Sequence, residues 1–162
     1  MQLVRSAMDR LAALAGGPTR RSSLWRSAPE ACPPGSTEFI NAAVTFPVRE
    51  GETPESLLAA LLALETEFGR QPKQIPNESR PLDLDLLAFG NEVRRSPTLT
   101  LPHPRAHLRR FVLAPLSELA PDLILPGQMQ TVGTLLALLP AADCRRVESS
   151  AAEGNVLPGR HE

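Results

Sequence analysis

Residues 80–90 read "RPLDLDLLAFG". Side chains two apart along a strand share a face, so Leu82, Leu84 and Leu86 point one way and Asp83 and Asp85 the other. The stretch predicts a strand over 82–89 that the leucines anchor in a core. Its opposite face then carries two carboxylates, roughly 6–7 Å apart at this spacing. Left alone, such a pair repels and is costly to bury. A divalent cation removes the conflict. Hard oxygen ligands suit Mg²⁺, which takes one or two carboxylates and completes its shell with water and substrate phosphates. Two carboxylates on a rigid strand can serve two such ions, as in many phosphoryl-transfer sites.

A bare D-x-D is also what alternation produces on any half-exposed strand, so the neighbours decide. Arg80 stands three residues before Asp83. Arg70 and Lys73 lie in the polar loop 70–81, and His103, Arg109 and Arg110 follow downstream. Arginine suits bidentate phosphate contacts and lysine a point-charge contact. A carboxylate pair among such cations fits a metal-bound polyphosphate better than a plain surface. Neither G-x-x-x-x-G-K-[ST] nor G-x-G-x-x-G occurs in the chain. A nucleotide would therefore be held by side chains and metal, without a glycine cradle.

The rest of the chain predicts one domain. Its 162 residues are enough for a real core, and 42% are apolar. Seventeen Lys and Arg balance eighteen Asp and Glu, which argues against a basic nucleic-acid scaffold. No apolar run approaches the ~20 residues of a membrane span, and no secretory signal core is present. Cys32 and Cys144 read as isolated reduced thiols, and the expected location is cytoplasmic.

Residues 1–15 place Leu3/Val4, Ala7/Met8, Leu11 and Leu14 on one helical stripe ended by Gly16 and Gly17. Residues 20–28 predict an irregular strand and 39–48 a second one. Thr53 as N-cap, Pro54 at the first helical position and Gly69 past the end bracket a helix whose stripe is Leu57, Leu61, Leu64 and Phe68. A further helix is entered at Pro104 and finished by Pro121, and a short one lies around 135–139. From about 141 the chain turns polar and predicts a disordered tail. This order gives an α+β fold, with helices packed on a mainly antiparallel sheet.

"SRPLDLDLLAFGNE" and "LTLPHPRAHLRRFVLAPLSELAP", with "RSAP", "EFINAAVTF" and "LETEFGR" in order before them, resemble the 6-hydroxymethyl-7,8-dihydropterin pyrophosphokinases of folate biosynthesis. The resemblance covers about 1–146 and leaves 147–162 as a tail. It implies a ferredoxin-like βαββαβ-type sandwich. It implies transfer of the β,γ-pyrophosphoryl of ATP to the pterin hydroxymethyl group, giving AMP, with two Mg²⁺ ions. Asp83 and Asp85 would hold both ions. Arg80, His103 and Arg109 match positions that contact the nucleotide phosphates or help close the site, and Arg70 one that reaches them during closure. Glu65 matches a position near the nucleotide. Asn41 matches the residue that hydrogen-bonds the pterin, and Phe39 and Phe111 match aromatic positions, with Phe111 stacking on the ring. Ala28 and Pro29 match the loop lining the pterin pocket. ATP and the pterin are the expected partners, without nucleic acid or membrane, and the chain is expected to act as a monomer.

The sequence departs from the family pattern in places. The family opens with a strand and a glycine turn before the first helix, whereas Met1 here opens within the helix. Loss of that strand would leave unpaired backbone and an open core face. A start placed too far downstream, a shortened gene or a strand supplied by a partner would each account for it, and the first is expected. Pro72 stands where the family often has a second loop arginine, Asn77 where it often has a lid aromatic, and Pro104 where an aromatic often follows the histidine. The rival reading is an inactive or unstable truncated relative that at most binds pterin or nucleotide. A metal-dependent nuclease is disfavoured, because neither a basic face nor a general base accompanies the D-x-D pair.

Overall fold

The computed structural model describes residues 1–29, 34–71, 81–140 and 144–147. Helix α1 spans Gln2–Ala12 and buries Ala7, Met8 and Leu11. It ends before the expected residue 15, and the chain turns at once. The Gly16 N–H donates to the Pro47 carbonyl at 2.7 Å. A Cβ at Gly16 would sit 2.5 Å from the Val48 carbonyl oxygen, so only glycine permits this approach.

The two expected strands each appear in two pieces: β1 (Arg20–Arg21) and β2 (Trp25–Ser27), then β3 (Phe39–Asn41) and β4 (Val44–Thr45). The cause is a bulge. Arg21 pairs with Val44 and Trp25 with Asn41, so residues 22–24 face only 42–43. Ser22 repairs the break. Its N–H donates to the Ala43 carbonyl at 2.9 Å, and its Oγ accepts from the Ala43 N–H at 2.8 Å.

Helix α2 (Pro54–Glu67) starts as read, with Thr53 and Ser56 forming a reciprocal capping box and Pro54 in the first turn. Its core face is Leu57, Leu61 and Leu64, joined by Glu65. Two short strands, β5 (Arg94–Arg95) and β6 (Thr100–Leu101), form a hairpin. The helix expected from Pro104 begins later. A 3₁₀ turn covers Ala106–Leu108, and α3 runs Arg110–Leu119, burying Leu113, Ala114, Pro115, Leu116 and Leu119. Helix α4 (Val132–Leu138) is capped by the Thr131 hydroxyl, which accepts from the Thr134 N–H.

Two expectations are corrected. The polar stretch from 141 contains strand β7 (Cys144–Arg146), which pairs antiparallel with β2. It sits at a sheet edge, where backbone pairing needs little hydrophobic help. Residues 148–162 lie outside the described residues. Residues 82–89 are not assigned to a strand: among the described residues no ladder partner pairs with them. Burial still follows the reading, with Leu82 buried, Leu84 and Leu86 half-buried, and Asp83 and Asp85 exposed.

All strand pairs are antiparallel, and helices pack on the strands in an α+β, ferredoxin-like arrangement. Two apolar clusters result. Leu11, Leu61 and Leu64 of α1 and α2 take up Val44, Leu84 and Leu86. Leu113, Leu116 and Leu119 of α3 join Ala43, Ala106, Leu125 and Val132, and take up Leu87 and Ala88. The segment 82–88 thus lies between the clusters and feeds both. Leu113 is fully enclosed. Leu113→Ala is expected to cost about 2–5 kcal/mol by chemical denaturation, whereas Leu62→Ala, at a 44% exposed site, is expected to stay within about 0.5 kcal/mol.

Candidate functional site

The site grows from the apolar segment 82–88. Because Leu84 and Leu86 go into the α1/α2 cluster, Asp83 and Asp85 face away from it. Two contacts fix the backbone between and beyond them. The Leu84 N–H donates to Glu65 Oε1 at 2.7 Å. The Leu87 carbonyl accepts from the His103 N–H at 2.8 Å. The second contact docks His103 beside the aspartate face.

The His103 ring is held as well. Its Nδ1 accepts from the Arg105 N–H at 3.2 Å, which leaves Nε2 as the proton-bearing nitrogen of the neutral ring. Burial lowers the His103 pKa below the ordinary value of 6.5; Asp85 opposes this, while Arg109 and Arg105 add to it. His103, Asp85 and Arg109 therefore lie within electrostatic reach of one another. At pH 7 the imidazole is neutral, with an N–H to donate.

Arg109 caps the N-terminal end of α3, and its guanidinium lies 5.4 Å from the centroid of the Phe111 ring. Its Nε is buried without a hydrogen-bond partner among the described residues. That geometry suits a cation–π contact. It also places a phosphate-suited cation next to the aromatic expected on the pterin side.

The other residues expected on the pterin side come from the strand pair. Phe39 opposes Ser27 and Asn41 opposes Trp25, and directly opposed residues share a sheet face. Asn41 Nδ2 donates to Ser27 Oγ at 2.9 Å. Phe39 is 40% exposed, so its ring is available for stacking. Helix α3 is tied to the same strand: Glu118 accepts from the Ser23 N–H at 2.8 Å and from Trp25 Nε1 at 2.7 Å. Ala28 and Pro29 continue from β2, half-buried. Arg80, Lys73, Pro72 and Asn77 lie outside the described residues.

Glu65 stands apart from its expected surroundings. It is 3% exposed, and besides Leu84 it pairs with the Arg70 guanidinium through its second oxygen. The resemblance places this residue near the nucleotide and does not by itself announce its burial.

A recess that sequence reading missed adjoins His103. Its volume is about 240 Å³, and Arg95, Thr100, Pro104, His107 and Gln128 line it with His103. Its wall from 126–128 lies more than twenty positions from the histidine in sequence. The larger cleft, about 860 Å³ between α1 and residues 21–24, holds none of the expected site residues.

No group of three or more His, Cys, Asp or Glu among the described residues forms a closed metal cage. Two outward carboxylates on one segment are instead the donor set of an ion that shares its shell with substrate and water. They fit Mg²⁺.

Comparison with known proteins agrees in class and then in family. The sequence model of 7,8-dihydro-6-hydroxymethylpterin-pyrophosphokinase (HPPK) matches residues 1–121. The chain is 38% identical over 146 residues to a Synechocystis protein named 2-amino-4-hydroxy-6-hydroxymethyldihydropteridine pyrophosphokinase, covering 89% of this chain and 70% of that one. It is 36% identical over 150 residues to the protein of the same name from Methylorubrum extorquens, covering 90% and 89%. A mitochondrial folate synthesis bifunctional protein of Pisum sativum is 43% identical over 101 residues, covering 62% of this chain and 19% of its own. The class is therefore a transferase of the kinase type. The chain belongs to the 7,8-dihydro-6-hydroxymethylpterin-pyrophosphokinase family.

The His103 environment has a measurable consequence. In the metal-free protein, its NMR titration midpoint is expected below 6.5, because burial dominates. Asp85→Asn is expected to lower it further, since Asp85 is the one group that raises it. A midpoint that rises on Asp85→Asn would contradict this geometry.

Proposed function

We propose that this chain carries out the reaction of its family with Asp83 and Asp85 as the metal-facing pair. The enzyme transfers pyrophosphate from ATP to 6-hydroxymethyl-7,8-dihydropterin, a diphosphotransfer of tetrahydrofolate biosynthesis. The observation that carries the residue-level reading is the outward carboxylate pair fixed between Glu65 and His103.

The pterin hydroxyl oxygen bonds to the β-phosphorus of ATP and gives up its proton to solvent, and the bond from that phosphorus to the α-phosphate oxygen breaks, releasing AMP. Little covalent work falls to the protein, so positioning and electrostatics carry the catalysis. Asp83 and Asp85 would hold the ions, and Mg²⁺ bound there would supply charge neutralisation. His103 offers its Nε2–H to a phosphate oxygen. Arg70, Arg80 and Arg109 supply further positive charge, and Arg109 reaches the site from its seat over Phe111. The recess walled by Thr100, His103 and Gln128 is of a size and polarity to take the nucleoside end of ATP. Asn41 addresses the pterin edge with a donor and an acceptor, Phe39 and Phe111 stack on it, and Ala28 and Pro29 line its pocket.

Two Mg²⁺ ions, a monomeric state and a cytoplasmic location complete the proposal. No helix among the described residues is long and apolar enough to cross a membrane. The rival reading, an inactive relative, is not favoured: the family match runs through both carboxylates and His103.

The test is AMP release from ATP, Mg²⁺ and 6-hydroxymethyl-7,8-dihydropterin. Asp83→Ala and Asp85→Ala are each expected to lose at least ~10³-fold in kcat while keeping the wild-type circular dichroism spectrum. Both side chains are exposed, so the fold does not depend on them. Wild-type turnover by either variant would overturn the metal role.

A further inference from the structure

Glu65 is a buried carboxylate that the mechanism above does not use. Burying a carboxylate is costly unless it is paired and hydrogen-bonded, so its partners show what it is for. One oxygen accepts the Leu84 N–H at 2.7 Å, and the other pairs with the Arg70 guanidinium. The Arg70 N–H also donates to the Glu65 carbonyl at 3.1 Å.

Leu84 is the residue between the two aspartates. Among the described residues segment 82–89 pairs with no strand, and beside the Leu87 carbonyl bond to the His103 N–H its backbone is held there without the ladder that sets a strand's position. The charge-assisted bond from Leu84 to Glu65 takes its place at the point midway between Asp83 and Asp85. Glu65 in turn is fixed by helix α2, whose Leu61 and Leu64 pack with Leu84 and Leu86. Its outer oxygen holds Arg70, the residue at the head of loop 70–81. One carboxylate thus anchors both the aspartate pair and a cation expected to meet the phosphates.

We propose that Glu65 is a positioning residue, which sets the placement of Asp83 and Asp85 through the Leu84 N–H instead of touching the nucleotide. The inference rests on the reading of Asp83 and Asp85 as the metal-facing pair.

Two near-isosteric changes separate reach from charge. Glu65→Gln keeps an acceptor within reach of Leu84 and loses the charge. Glu65→Asp keeps the charge and draws the acceptor back by one methylene. Both variants of the full chain are assayed for kcat and KM with ATP, Mg²⁺ and the pterin. Amide exchange of Leu84 is followed by NMR in the absence of ligands. Glu65→Asp is expected to speed Leu84 exchange at least ~10-fold and to lower kcat by about 10–100-fold, with the pterin KM within about threefold. Glu65→Gln is expected to keep Leu84 protected and to lose less kcat than Glu65→Asp, its own loss reporting the freed Arg70. A Glu65→Asp enzyme with wild-type kcat overturns the inference. So does a Glu65→Gln enzyme that loses more kcat than Glu65→Asp while Leu84 stays protected, because charge would then matter and reach would not. Asp83→Ala and Asp85→Ala run alongside: if they keep activity the metal reading fails, and if they lose it while Glu65→Asp does not, only the positioning role fails.

Discussion

An apolar segment that must present two carboxylates needs its backbone held still, and among the described residues no neighbouring strand does so. Residues 82–89 run without a ladder among the described residues. The Leu84 N–H is taken by a buried glutamate and the Leu87 carbonyl by the His103 N–H. Side chains complete the fixation, with Leu84 and Leu86 in the cluster of α1 and α2 and Leu87 and Ala88 in that of α3 and α4. The aspartates are exposed while Leu84, Leu86, Leu87 and Ala88 are committed to one core or the other.

The second of these contacts also docks His103. His103 is docked by its own backbone, so its ring cannot drift from the aspartate face. Burial keeps that ring neutral against the pull of Asp85, which makes it a hydrogen-bond donor instead of a third competing cation. Arg109 sits over Phe111 at the start of α3, and Glu118 near the end of the same helix grips Ser23 and Trp25. One helix therefore links Arg109 to the strand pair bearing Asn41 and Phe39.

Local signals were legible where the cause is local. Thr53, Pro54 and Gly69 bracket α2 because caps act within one turn. The alternation of Leu82, Asp83, Leu84 and Asp85 predicted which side chains bury, since period two survives even where no ladder forms. What stayed hidden depends on partners far along the chain. The bulge at 22–24 exists only relative to 42–43. Strand β7 has no apolar alternation and is defined by the free edge of β2. Glu65 and Leu84 are separated by nineteen positions, and nothing in "ALETEF" marks that glutamate as buried. The recess beside His103 draws one wall from 126–128, beyond any motif. Arg80, read from the block before Asp83, lies outside the described residues.

The central claim is that Asp83 and Asp85 together hold the ions that face ATP. The most direct measurement is a Mn²⁺ titration by electron paramagnetic resonance, with the ion standing in for Mg²⁺ and a non-hydrolysable ATP analogue present. Two bound ions per wild-type ternary complex are expected, and an Asp83→Asn, Asp85→Asn double variant is expected to bind no more Mn²⁺ than the free analogue does. Wild-type stoichiometry in the double variant would contradict the account.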